Sequence, residues 1–159
     1  GLCRTSFETF VFRGECLIIN QTFANDVKRE RTGTEKDEEE LVKSMARIGC
    51  KNRTRVKRDL TYRGIIKALK DFCKELKNSM PDFTVVVILS HGRTNPSTGV
   101  DEIMSIPTEN QPNFVPLYKI KKIFIDGKKC PAMVGKPKIF VIQACRGKTA
   151  QDGLNIHLR

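Results

Sequence analysis

Apolar and polar positions run along the chain in blocks whose period switches between that of a strand and that of a helix. Glu15-Cys16-Leu17-Ile18-Ile19-Asn20 is short and nearly continuously apolar, the pattern of a strand buried on both faces. A Gly- and charge-rich loop over 24–33 follows. Thr34-Glu35-Lys36-Asp37 then opens a helix. Thr34 suits its cap, and the acidic cluster at 35–40 suits the positive end of its dipole. Leu41, Val42, Met45 and Ile48 fall on one face, and Gly49 ends the helix. Residues 55–59 read as a short strand. Thr61 caps a second helix to about Asn78, in which Ile65, Leu69, Phe72, Cys73 and Leu76 form a 3.6-residue stripe, and Pro81 breaks the chain. Phe83 to Leu89, apolar and β-branched, is the strongest strand signal and ends at Ser90-His91-Gly92. The stretch 93–116 reads as loops with a hairpin around 100–106. Apolar positions 117, 120, 123 and 124 mark a short basic helix. Lys138 to Ile142 is a last buried strand, running into Gln143-Ala144-Cys145-Arg146-Gly147.

The order β-α-β-α-β-loops-α-β predicts an α/β fold, a three-layer sandwich with a mainly parallel sheet flanked by helices on both faces. Sites in such sheets form beyond the carboxyl ends of the strands. His91 and Cys145 each follow a predicted strand at that end, so they are expected on one edge although they lie far apart in sequence.

Composition narrows the classes. The 159 residues suit one domain with a real core, here 1–159, with 1–12 as an N-terminal arm and 148–159 as a C-terminal tail. The net charge of +11 permits a polyanion partner. However, the basic residues are spread over 51–70, 119–129 and 136–148, Trp is absent and no reader motif occurs, so nucleic acid is not expected. No apolar run approaches the roughly 18 to 20 residues of a membrane span. The chain starts Gly1-Leu2-Cys3, without initiator Met or signal-peptide core, and reads as a processed, excised or incomplete cytoplasmic chain. Cysteines stand at 3, 16, 50, 73, 130 and 145 with no CxxC spacing, so reduced thiols are expected and a structural zinc is not. The sequons Asn20-Gln21-Thr22 and Asn52-Arg53-Thr54 are chance matches in that compartment.

A thiol attacks a carbonyl well only as a thiolate, which a nearby His promotes, and the developing oxyanion needs N–H donors. Cys145 and His91 supply such a pair, and the N–H groups of Gly92 and Cys145 are the candidate donors. Taken singly, a Cys at the end of a buried strand is usually core, and a His there is usually a hydrogen-bonded structural residue. Their conjunction on one edge with Gly neighbours is much less common. Cys16 and Cys73 lie on apolar stripes and read as core, and His157 has no nucleophile beside it.

Gln143-Ala144-Cys145-Arg146-Gly147, with a His about 50 residues upstream, matches the caspase nucleophile signature. Ser90-His91-Gly92 resembles the caspase histidine motif, and Arg31-Thr32-Gly33-Thr34 with Asp37 and Leu41 resembles the segment that supplies a substrate-pocket arginine. Asp59-Leu60-Thr61 and Gly135-Lys136-Pro137-Lys138 are similar too. The resemblance runs from about Arg13 to Gly153, and Thr22-Phe23-Ala24-Asn25 with Leu60-Thr61-Tyr62-Arg63-Gly64 looks most like nematode cell-death caspases. It implies cleavage of peptide bonds after Asp, with no metal or organic cofactor. A buried substrate carboxylate must be paired, and the resemblance puts Arg31 there, its planar fork suited to two oxygens, with Gln143 as a neutral partner. It also implies that the backbone carbonyl of Arg29 orients His91. Metacaspases and paracaspases need an acidic pocket, against which Arg31 and Gln143 argue.

The resemblance further implies a zymogen-derived large subunit that pairs with a small subunit as a heterodimer, then as a dimer of heterodimers, with the tail leading toward the intersubunit linker. The small subunit supplies a second pocket arginine, and caspase regulators are possible partners. Such a chain is expected to leave a sheet edge open at the Gln143 strand, and to be poorly soluble or oligomeric alone. The leading reading is therefore an apoptotic Asp-directed cysteine endopeptidase. The alternatives are a catalytically inactive caspase-like regulator that binds a caspase and, third, a basic nucleic-acid-binding domain.

Overall fold

The structure, a computed structural model, describes the backbone of residues 12–145 and 154–158 and the side chains of residues 12–144. The fully buried strand β1 (Gly14–Asn20) lies parallel to β2 (Thr54–Arg58) on one side and to β3 (Phe83–Thr94) on the other. On its far side β3 pairs in parallel with β6 (Lys138–Cys145), and β7 (Leu154–Leu158) runs antiparallel beyond β6. The end of β3 leaves this array and pairs antiparallel with β4 (Asp101–Met104), which pairs with β5 (Phe114–Pro116).

Alternation along the buried strands divides the core between two faces. One face of the sheet presents Cys16, Ile18, Val85, Val87 and Leu89 to Leu41 and Met45 of α1 (Thr34–Met45). The other presents Leu17, Ile19, Val86, Ile88, Phe140 and Ile142 to α2 (Tyr62–Ser79) and α3 (Leu117–Ile125). Phe124 ties this second layer together, lying 6.0 Å from Phe72 on α2 and edge-on at 5.6 Å to Phe140 on β6. At about 1.5–3 kcal/mol for each large apolar side chain buried, these two layers are the main source of stability. The result is the expected α/β sandwich with an open, mixed sheet.

Thr61 caps α2 as expected, its hydroxyl accepting from Gly64 N at 3.1 Å. Four details differ from the sequence expectations. Gly33 (φ +79°), not Thr34, is the cap of α1; Thr34 is the first helical residue, and its hydroxyl donates to Asn20 Oδ1 at 2.8 Å. Val42, within α1, and Ile48 are exposed; after Met45 the chain widens into a π-type turn over Ala46–Cys50, so Ile48 does not continue the α1 stripe. Strand β3 does not stop at Leu89. It runs through His91 and Gly92 to Thr94, because β4 offers its last residues a second partner. Finally, residues 154–158 of the expected tail form β7 and pair with the edge of β6 that was expected to be open, which removes that argument for poor solubility. Most of the N-terminal arm, Cys3, Arg146-Gly147 and Asp152-Gly153 lie outside the described residues.

Candidate active site

In the parallel register between β3 and β6, His91 is the partner of Cys145. Neighbouring strands stand about 4.8 Å apart, so strand pairing turns two residues distant in sequence into lateral neighbours at the carboxyl edge. His91 is half-buried there. Gly92 follows it, and a Cβ at this position would meet Ala144 Cβ at 2.6 Å and Glu102 O at 3.2 Å. The glycine thus has a packing reason independent of what its N–H does. Gly92→Ala is expected to destabilise the fold by about 1–3 kcal/mol, read as a lower midpoint in thermal or urea denaturation. An unchanged midpoint would mean that the β3–β6 approach is looser than described.

A loop folded back from the end of β1 reaches the histidine. The Arg29 carbonyl lies 2.5 Å from His91 Nε2, and the Phe23 ring lies 5.1 Å from the imidazole, centroid to centroid. A carbonyl oxygen only accepts, so Nε2 carries the proton and Nδ1 is the nitrogen left to exchange one. The loop is closed by Arg31 N–H donating to Thr22 O at 2.9 Å, and its inner turn is set by Asp26, whose carbonyl accepts from Arg29 N and Glu30 N. Phe23 is 2 % exposed and sits at φ +53°, a strained conformation for a bulky residue. Asp59 holds it there, its carboxylate accepting from Thr22 N (2.7 Å), Phe23 N (3.0 Å) and the Thr22 hydroxyl (2.6 Å). Sequence reading had no role for Phe23 or Asp59 at the site. The signal was there only as a family-like motif, since a loop aromatic and a lone Asp carry no spacing that points to a histidine.

Arg31 is not a solvated loop charge. Its Nη1 donates to Asn20 Oδ1 (3.1 Å), Gln21 O (3.1 Å) and Thr34 Oγ1 (3.2 Å), which fixes the guanidinium over the end of β1. Asn20, Leu89 and Gln143 share one register level on three adjacent strands, so Gln143 lies two strand spacings, roughly 10 Å, from Asn20. Behind Asn20, Glu38 on α1 accepts from Asn20 Nδ2 at 3.0 Å and is paired with Arg58 on β2. Burial works to raise the Glu38 pKa, but the hydrogen bonds from Arg58 and Asn20 outweigh it and hold the carboxyl below its usual range. A carboxyl depressed in the folded state contributes stability above its unfolded pKa, about 4.3, and loses it as pH falls through the folded value. The melting-temperature gap between the parent and Glu38→Gln should therefore be full at neutral pH and close in acid. A gap independent of pH would remove Glu38 from this network.

Cys16, Cys50, Cys73 and Cys130 are buried and free. Burial pushes the Cys16 thiol up and that of Cys50 up to about 11. Its hydrogen bond with Cys130, together with burial, pushes Cys73 up. All three stay protonated at neutral pH, unlike a ready nucleophile. Among the described residues no cluster of His, Cys, Asp and Glu could hold a metal ion, and no helix is long and apolar enough to cross a membrane.

The parallel register thus makes a histidine and a cysteine lateral partners at the carboxyl edge of a sheet flanked by helices on both faces, an arrangement that cysteine-based hydrolysis can use. The sequence matches the caspase domain over residues 13–157, and the chain belongs to the caspase family of cysteine peptidases. It is 36% identical to mouse caspase-3 over 143 residues, covering 89% of this chain and 46% of that protein. It is 35% identical to human caspase-9 over 145 residues, covering 90% and 33%. Against cell death protein 3 of the nematode Caenorhabditis remanei it is 29% identical over 148 residues, covering 91% and 25%. The chain thus spans between a quarter and a half of the length of these relatives.

Proposed function

We propose that this chain is the catalytic large-subunit part of an Asp-directed cysteine endopeptidase acting in apoptosis in the cytoplasm. The observation that carries the reading is the lateral pairing of His91 with position 145, with the Arg29 carbonyl against His91 Nε2. In this reading the Cys145 thiol gives its proton to His91, and the resulting thiolate adds to the scissile carbonyl carbon. The N–H groups of Gly92 and Cys145 hold the resulting oxyanion. Collapse breaks the C–N bond, and the leaving amine takes a proton from His91. Water then attacks the thioester, His91 takes its proton, and the acid product leaves with the thiol restored.

Arg29 is a positioning residue: its carbonyl fixes the ring so that Nδ1 faces the thiol and the leaving group. Arg31, with Gln143 as a neutral hydrogen-bond partner, receives the substrate Asp carboxylate. The three acceptors that hold Arg31 Nη1 pre-orient its fork, so less entropy is lost on binding. The partners of this reading are protein substrates and a small subunit, assembled as a heterodimer and then as a dimer of heterodimers from a zymogen. Because β7 takes the edge of β6, a partner that extends the sheet adds beyond β7 or displaces it.

The test is hydrolysis of paired peptides that differ only in Asp or Asn at the cleaved bond, with the small subunit present, together with inhibition by an Asp-terminated aldehyde. Cleavage after Asp much faster than after Asn, and reversible inhibition, are expected. Equal rates on both peptides, or no hydrolysis of either, would overturn the reading.

A further inference from the structure

At the opposite end of the sheet, where β1 and β2 begin and α2 ends, lies a cavity of about 710 Å³ whose lining includes Arg13, Glu15, Arg53, Arg55, Asn78 and Ser79. Glu15 pairs in register with Thr84, seven residues before His91 on the same strand, so the cavity is roughly 23 Å from the histidine at about 3.3 Å per residue. It plays no part in the chemistry proposed above. Its volume falls in the range of small-molecule sites, roughly 300–1,000 Å³, but its walls are unusually cationic.

Glu15 is 3 % exposed, and its carboxylate accepts from Arg55 Nη1 at 2.6 Å and, more weakly, from Arg53 Nη1 at 3.5 Å. Arg55 is further held by Glu75 and lies over the Phe72 ring. One buried carboxylate therefore anchors two guanidiniums at the cavity wall. The Arg13 guanidinium makes no hydrogen bond or ion pair among the described residues; only its backbone N–H is engaged, donating to Asp82 at 2.8 Å. Ser79 Oγ is buried and has no hydrogen-bond partner among the described residues. A buried hydroxyl without a partner is uncommon and calls for an explanation.

We propose that this cavity binds a small phosphate-bearing molecule, with Arg13 and Arg53 gripping the phosphate oxygens and Ser79 and Asn78 donating beside them. Three guanidiniums against the carboxylates of Glu15 and Glu75 leave a positive excess, so the ligand is an anion. Guanidinium forks match phosphate oxygens in pairs, and a phosphate has enough acceptors to use several donors at once. The volume exceeds what one phosphate fills, which leaves room for an organic part such as a nucleoside.

The experiment titrates inorganic pyrophosphate and, separately, adenosine diphosphate into the protein by calorimetry at fixed ionic strength. Saturable single-site binding of at least one is expected. Equal affinities mean that phosphate alone is read; tighter diphosphate binding by the nucleoside form means that the organic part is read too. Arg13→Glu should weaken binding at least tenfold and Ser79→Ala about threefold, each without lowering the melting temperature, since neither side chain has a hydrogen-bond or ion-pair partner to lose among the described residues. Lys67→Ala on the outer surface of α2 should leave binding unchanged. Absence of saturable binding by both probes, or equal weakening by Arg13→Glu and Lys67→Ala, overturns the proposal.

Discussion

Cys145→Ala is expected to lower kcat/KM for cleavage after Asp by at least about a thousandfold, while leaving the denaturation midpoint near that of the parent. The chemical reason is that the proposed route passes through a thioester, and the described thiols, Cys16, Cys50, Cys73 and Cys130, are all buried in the core rather than exposed at the carboxyl edge to replace it. Cys50, with its pKa pushed up to about 11, is essentially all thiol at neutral pH, and Cys16 and Cys73 are pushed up as well. His91→Ala should cost nearly as much, and the double variant little more than either single one, because the two groups act as a unit. Initial rates on one Asp peptide, with the small subunit at saturation, check all three. A Cys145→Ala variant that retains the parent rate places the nucleophile elsewhere and removes position 145 from the mechanism.

Arg31→Ala should reduce kcat/KM for Asp substrates by roughly a hundred- to a thousandfold, about 3–4 kcal/mol, the range expected when a desolvated carboxylate loses its cationic partner. The loss should shrink on the matching Asn peptide, which carries no charge to pair. Arg31→Lys should recover only part of the activity, because an ammonium keeps the charge but not the planar fork. This set of rates separates a binding role from a structural one. Arg31 also ties Asn20, Gln21 and Thr34 together, so some stability is lost in Arg31→Ala whatever the substrate. A purely structural residue would slow the Asp and Asn peptides by the same factor.

The sequence by itself determined the order of the main strands and helices, the α/β class and the carboxyl-edge placement of His91 and Cys145. These follow from local signals: continuous apolar runs at 15–20 and 83–89, the 3.6-residue stripe of α2, and a motif held in five consecutive residues. It also singled out Arg31, through its place in Arg-Thr-Gly-Thr, but without telling what would hold it.

Only the tertiary structure decided the rest. The strained Phe23 against His91, the Asp59 carboxylate that pins it, the Asn20–Glu38–Arg58 support behind Arg31, and the β7 strand along β6 all join residues from separate elements. Gly92 shows the difference within one residue. Sequence reading valued it for an exposed N–H, whereas the fold requires it because Ala144 of the neighbouring strand leaves no room for a Cβ. Periodicity encodes which face of an element is buried, whereas side-chain contacts depend on register and on how elements pack. Those are decided by the summed packing of the whole sheet, which no single segment of the chain contains.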